Sequence, residues 1–384
     1  MTKRIGKSLV AGGATLVTQA EWNEELNAKH EKLVEFLRAQ RLSGILIRRN
    51  ENVAWITGGA VQLRVLTPCE TGVASLLVTA EGKRYYFTTE NEAPRLHDEE
   101  FGALDFEPVL FPWYADDTVA AATRLAGGPL GSDAPGAGLT PVNLYPLRAS
   151  LSETEIARYR WLGAETVAAT VESLYQVEPG LSEYDLEALT AANLLKRGIL
   201  PSVYLFAVDE RIYKYKHAVA RGKRLKQYGM LNLCSRKWGL AISITRFVHF
   251  GPLPTELEAR FKSAAQVNAA LLDATRVGAS SAELFKVAQA AYAAEGFSGE
   301  ERFHHQGGST GYWEREWVAA PNGTETVVNN QAFAWNPSIR GGKAEDTVIL
   351  RDGKIEWLTG TAELPVIEAT AHGKVYPAAG VLVR

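Results

Sequence analysis

Residues 232–247 read NLCSRKWGLAISITRF, two strand-like runs that meet near Gly239. Ile242, Ile244 and Phe247 supply an apolar side, and glycine gives the freedom a tight turn needs, so a β-hairpin is expected here. Asn232 and Ser243 are polar residues eleven apart in this otherwise strand-like setting. A hairpin can set two such side chains side by side.

Two neighbouring stretches carry chemistry. FHHQGGSTGYWERE, residues 303–316, combines two histidines, a run of glycines and Arg315-Glu316. These offer an acid/base group, a close backbone approach and an anion-binding charge. AFAWNPSIRGGKAEDTVIL, residues 332–350, reads as another hairpin and puts Glu345 on a strand expected to be mostly buried.

Further out, strands are predicted at 203–208, 229–234, 239–247, 331–336, 345–350 and 354–358, and helices at about 255–275 and 281–295. Ser152-Glu-Thr-Glu155 is a capping-box pattern that opens a long helix, stopped by Pro179-Gly180, and SEYDLEALTAANLL opens a second from Ser182. Before Ser152 the texture differs. Trp22, Leu26, Leu33, Val34 and Leu37 recur at helical spacing over roughly 20–40, followed by strands at 44–48, 72–78 and 83–89 and a helix near 117–126. The expectation is an α/β domain over 1–150 and an α+β domain over 151–384, the second an antiparallel sheet with helices on one face.

A chain of 384 residues is long enough for about two such domains. Hydrophobic residues at 46% and charged residues at 22% exclude long disorder, and a net charge of −3 excludes a basic nucleic-acid or membrane surface. Cys69 and Cys234 are too few for a disulfide scaffold or a thiolate cluster, and no apolar run approaches the ~20 residues of a membrane span. Met1–Val17 has early basic residues and an apolar LVAGGATLV, but it is short, Gly-interrupted and followed by the polar TQAEWNEEL. It is expected to be an exposed arm on a cytoplasmic, soluble protein.

These three stretches, with the junction SETEIARYRWLG, resemble the metallopeptidase M24 superfamily, the pita-bread fold of methionine aminopeptidase, proline dipeptidase and creatinase. The resemblance implies a creatinase-like N-terminal domain, a pita-bread catalytic domain and a homodimer. The family's first metal motif is an Asp, a Gly seven later, a second Asp eleven later, then Thr-Arg. That frame reads Asn232, Gly239, Ser243, Thr245 and Arg246 here. The family's ligand His falls at Gly308, and its Glu-Pro is Asn336-Pro337; only the last carboxylate remains, as Glu345. Two-metal hydrolysis needs several carboxylates to hold the cations, so neither a metal nor another cofactor is expected.

The resemblance also places His217 at a substrate-facing His, His304 at a second active-site His, and Arg315-Glu316 at the family's His-Glu. Creatinase, the metal-free member, is similar in its Asn, its Arg and its upstream His. It cleaves a C–N bond with His as acid/base and Arg on the substrate carboxylate. Thr245 stands where creatinase has the Glu that recognises guanidinium, which points to another small zwitterion.

The resemblance thus implies His217, His304 and Glu345 as catalytic residues, with Arg315, Glu316, Asn232, Ser243, Asn336 and Trp313 binding substrate. Plainer readings stand beside these. His217 sits in a basic loop, one of His304 and His305 is structural, and Arg315 can pair with Glu314, Glu316 or Glu345. A buried carboxylate is costly unless paired, so Glu345 is either held by Arg315 or an acid/base with raised pKa. Asn232, Ser243 and Asn336 either satisfy one another or bind a polar substrate. Trp238, Tyr312, Trp313 and Trp335 pack, or wall a pocket for a cationic or flat ligand. Arg64 lies in a loop that in creatinase-like dimers reaches the partner's site. The leading expectation is a metal-independent C–N hydrolase with a small-molecule or dipeptide-like substrate and no nucleic-acid or membrane partner. The alternatives are an Xaa-Pro dipeptidase and a catalytically inactive binding module.

Overall fold

Local signals start the chain's helices where the sequence places them. In the computed structural model, which describes residues 9–11, 14–66, 69–360 and 362–384, strands β1 (Leu9–Ala11) and β2 (Ala14–Val17) pair antiparallel and lead into helix α1 (Gln19–Ala39). Thr18 and Glu21 close a capping box at its start. Val17 is buried and clusters with Trp22 and Leu26, which corrects the expected exposed arm at its inner end; Met1–Ser8 lie outside the described residues. An apolar Val beside a helix start gains more from joining that cluster than from solvent.

The chain divides into two compact units, one running to Arg158 with the Trp238–Leu240 turn, the other holding Tyr159–Lys237 and Ala241–Arg384. In the first, β3 (Gly44–Arg49), α2 (Asn50–Ile56), β4 (Thr71–Thr79), β5 (Arg84–Thr89), β6 (Glu107–Phe111), α3 (Thr118–Ala126), β7 (Leu130–Ser132) and β8 (Thr140–Pro141) follow in order. The strands form one mixed sheet, β6-β5-β4-β3-β7-β8. Leu46, Leu77 and Phe87 bury themselves against Ala121, Ala122 and Ala126, whose small side chains let α3 lie close to the sheet. Every residue of α2 is buried, and seven residues are too few to show a helical period in the sequence.

Next comes the long helix α4 (Glu153–Gln176), whose expected capping box is present: Ser152 N–H donates to Glu155 at 2.7 Å and Glu155 N–H returns to Ser152 Oγ at 3.2 Å. The second unit continues with α5 (Glu183–Leu195), β9 (Leu200–Val208), β10 (Tyr228–Lys237), β11 (Leu240–His249), α6 (Thr255–Ala274) and α7 (Ser281–Ala294). Strands β12 (Gly307–Thr310), β13 (Trp317–Val318), β14 (Gln331–Trp335), β15 (Ser338–Ile339), β16 (Gly342–Lys343), β17 (Asp346–Arg351), β18 (Lys354–Trp357), β19 (Val366–Ala371), β20 (Lys374–Ala379) and β21 (Val381–Val383) complete it.

Instead of one antiparallel sheet there are two larger ones. The order is β21-β11-β10-β9 in the first, where β21 runs parallel to β11, and β13-β12-β14-β17-β18 in the second. The second was missed because β12 reads Gly-Gly-Ser-Thr, with almost no strand propensity. Tight packing explains those glycines: a Cβ on Gly307 would lie 2.1 Å from the Ala334 carbonyl oxygen, and one on Gly308 2.2 Å from that of Trp317. Phe247, Tyr228 and Met230 from the first sheet bury against Phe261 of α6.

Candidate functional site

The β10–β11 hairpin turns on Trp238 and Gly239, both at positive φ (53° and 80°), the pattern of a type I′ turn. A two-residue turn sets the register, and it differs from the expected one. Asn232 faces Thr245, to which its amide donates, while Cys234 faces Ser243, Sγ to Oγ 3.2 Å. Asn232 and Ser243 are therefore diagonal neighbours rather than a facing pair. Burial pushes the Cys234 thiol up to about 11, so it is no nucleophile at neutral pH.

Glu345 is the hub. It lies just before β17 and is buried, 4% exposed. Its Oε2 accepts from Asn232 Nδ2 at 2.7 Å and from the Thr245 hydroxyl, and it pairs with Lys343 Nζ at 2.8 Å. Its Oε1 accepts from Arg315 Nη2 at 2.9 Å. Arg315 Nη1 donates to Ser243 Oγ at 2.7 Å and to the Glu314 carbonyl at 2.6 Å. Burial alone would raise the Glu345 pKa, but Lys343 and Arg315 outweigh it and hold the carboxyl far below its usual range. The raised pKa offered as one reading of Glu345 is thus corrected: it stays ionised, with both oxygens engaged, and the pairing with Arg315 is present.

Beside this hub three imidazoles meet. His304 Nε2 and His217 Nε2 are 2.9 Å apart, and His305 stacks on His304 with centroids 4.5 Å apart. His304 is buried, with Nδ1 unpartnered; His217 reaches the surface; His305 Nδ1 accepts from the Gly307 amide at 3.2 Å. Burial, then the charge of Lys343, pushes His304 down to about 2. Burial and Arg315 push His305 down to about 4, and burial with Lys343 also lowers His217. At pH 7 all three are neutral. Keeping a proton on His304 at that pH takes about 1.4 kcal/mol per pKa unit.

Other expected residues serve elsewhere. Glu316 Oε1 accepts from the Tyr312 and Trp313 amides, each at 3.1 Å, and so holds the turn before it. Trp313 covers Arg236, whose guanidinium carbon is 5.1 Å from the ring centroid and whose fork is bidentate to Glu314. Trp335 is buried and donates to Thr275 at 3.0 Å, and Tyr312 is fully buried. Each of these rings has a packing or hydrogen-bonding partner of its own. Asn336 is buried with Oδ1 unpartnered, and its backbone N–H donates to the Gln306 carbonyl at 3.0 Å. Arg64 lies in the first unit, half-buried. Arg246 is bound behind the hub, 2.6 Å from Asp346. Lys343 was the omission, and His305, weighed beside His304 in the sequence, stacks on it here. Lys343 precedes Glu345 by two on an extended chain, which puts both on one face, and that spacing was a readable signal.

The pair of divalent cations that the resemblance implies does not fit this donor set. Of the frame positions Asn232, Ser243, Gly308, Asn336 and Glu345, one is a carboxylate, and Lys343 and Arg315 occupy the side of it that a cation would take. Gly308 has no room for a side chain. His217, His304 and His305, with ligating atoms all within 4.8 Å of one another, are among the described residues a group able to hold a single ion.

An α/β domain ahead of paired sheets with this hairpin frame defines a two-domain chain of creatinase-like N-terminal domain and pita-bread domain. Residues 160–354 match the model of metallopeptidase family M24, and residues 29–134 that of the creatinase/prolidase N-terminal domain. The chain belongs to metallopeptidase family M24. Dipeptidase PepE from Mycobacterium ulcerans has a similar structure, with TM-score 0.72 and 15% identity over 88% of this chain and 96% of that one. So does an Xaa-Pro dipeptidase from Bacillus anthracis, with TM-score 0.70 and 16% identity over 94% and 100%. The N-terminal domain of the FACT complex subunit SPT16 from chickpea is similar at TM-score 0.61 and 14% identity over 87% and 96%. At such identities the likeness is one of fold. No curated protein matches the chain in sequence. Among the described residues no helix is long and apolar enough to cross a membrane.

Proposed function

We propose that this chain is a metal-independent hydrolase of creatinase type, acting in the cytoplasm as a homodimer on a C–N bond of a small zwitterionic molecule. The observation that carries the reading is the hub itself: two fixed positive charges, the Lys343 ammonium and the Arg315 guanidinium, stand beside a neutral His217–His304 pair, where the family frame would set cations. Water adds to the substrate carbon, the C–N bond breaks, and the proton lost by the water passes through His217 to the leaving nitrogen. Lys343 and Arg315 stabilise the oxygen that gains charge, and Glu345 positions both. Asn232 and Ser243 fix Glu345 and Arg315, and His304 orients His217.

The test is hydrolysis of small amidines, ureas, N-acyl amino acids and Xaa-Pro dipeptides, with and without chelator. Turnover is expected to persist in chelator and to fall by about 10²–10⁴-fold in His217→Gln. An Xaa-Pro dipeptidase reading has the family match in its favour, and cleavage of those dipeptides only with added manganese or cobalt would establish it. No turnover from folded protein on any of these would leave a binding module.

A further inference from the structure

We propose that His217, His304 and His305 form a site for one transition-metal ion of the Zn²⁺ or Cu²⁺ class, and that its occupation switches the site off. Three imidazoles without a carboxylate exclude Ca²⁺ and Mg²⁺, which take oxygen ligands, and suit Zn²⁺ or Cu²⁺. The closest pair of ring nitrogens is 2.9 Å apart and all three ligating atoms fall within 4.8 Å. Nitrogens around tetrahedral zinc at about 2.0–2.1 Å are about 3.3 Å apart, so ring tilts of about an ångström complete the triangle. His217 reaches the surface and gives the ion a way in, leaving a fourth position for water.

Two features keep the site weak. His304 Nδ1 has no acceptor to orient it, and Lys343 and Arg315 repel the ion while Glu345 offsets one of them. Micromolar binding follows, tighter for Cu²⁺ than for Zn²⁺. The bound ion takes the lone pair with which His217 accepts a proton; this half of the inference rests on the proposed function.

Calorimetric titration of the chelator-stripped full chain with ZnCl₂ tests the site without reference to turnover. One ion per chain is expected, weakened by about tenfold or more in His217→Ala and in His305→Ala. Lys343→Met is expected to tighten binding by several-fold, because a repelling charge is gone. Thermal melts of the stripped variants separate lost ligands from lost fold. No saturable binding below about 1 mM, or binding unchanged in both histidine variants, overturns the site. Saturation that leaves turnover intact overturns the switch.

Discussion

Glu345 is a buried charge with two cationic partners, and removing the charge leaves those partners without an anion. Glu345→Gln is therefore expected to destabilise the second unit by about 3–5 kcal/mol, read by denaturant unfolding. Since its folded pKa lies below the ordinary value of 4.5, the stability it supplies is complete above about pH 4.5 and drains as pH falls further. His304 starts the loss earlier. It stays neutral in the folded chain down to about 2 but titrates near 6.5 once unfolded, so the unfolded state takes up a proton that the folded state refuses. Below about pH 6 His304 is expected to contribute about 1.4 kcal/mol per pH unit to a loss that His305 and His30, also held below the ordinary imidazole value, share, and His304→Phe to remove its own part of that slope between pH 6 and 4.5. A slope unchanged in that variant would count against the neutral His304. Such single-residue behaviour was only partly readable. Asn232 and Glu345 stood in a recognisable frame, whereas Lys343 looked like one more hairpin residue until its position two before Glu345 had a face to share.

At the scale of elements, local patterns were the legible part. The boxes at Ser152 and Ser182 depend on residues three apart, and both helices begin there. Ser182→Ala is expected to lower stability by about 1 kcal/mol, as loss of an N-cap does. The β12 strand was illegible because its glycines answer to the strands on either side rather than to strand propensity. Gly308→Ala forces a methyl toward the Trp317 carbonyl and is expected to destabilise by about 1–3 kcal/mol; a stable variant at wild-type melting temperature would show that β13 yields. For the same reason Gly308→His alone is not expected to rebuild a metal ligand. The facing of Asn232 by Thr245 hung on a two-residue turn, and a one-residue difference in turn length moves every pair.

Over the whole molecule, the two-domain order was visible in a change of texture near Ser152, since hydrophobic period and capping signals are regional properties. The ion network of the first unit was not, for it joins distant segments: Glu25 accepts from Lys29 and Arg158, all three buried. Glu25→Ala removes the anion that the two buried cations share, leaving Lys29 its 2.7 Å pairing with Glu155, and is expected to cost about 3–5 kcal/mol, seen as faster hydrogen exchange over α1. The pairing of sheets likewise depended on β12 and on β21 returning beside β11.

The lysine beside Glu345 has a consequence for supply. A metallopeptidase acquires the positive charge of its centre from the surrounding medium and forfeits it when ions are scarce. Here a share of that charge is synthesised with the backbone, as an ammonium on β16. No sequestering agent strips that ammonium and no rival ion displaces it, so on the proposed function the hub carries its charge as soon as the chain has folded.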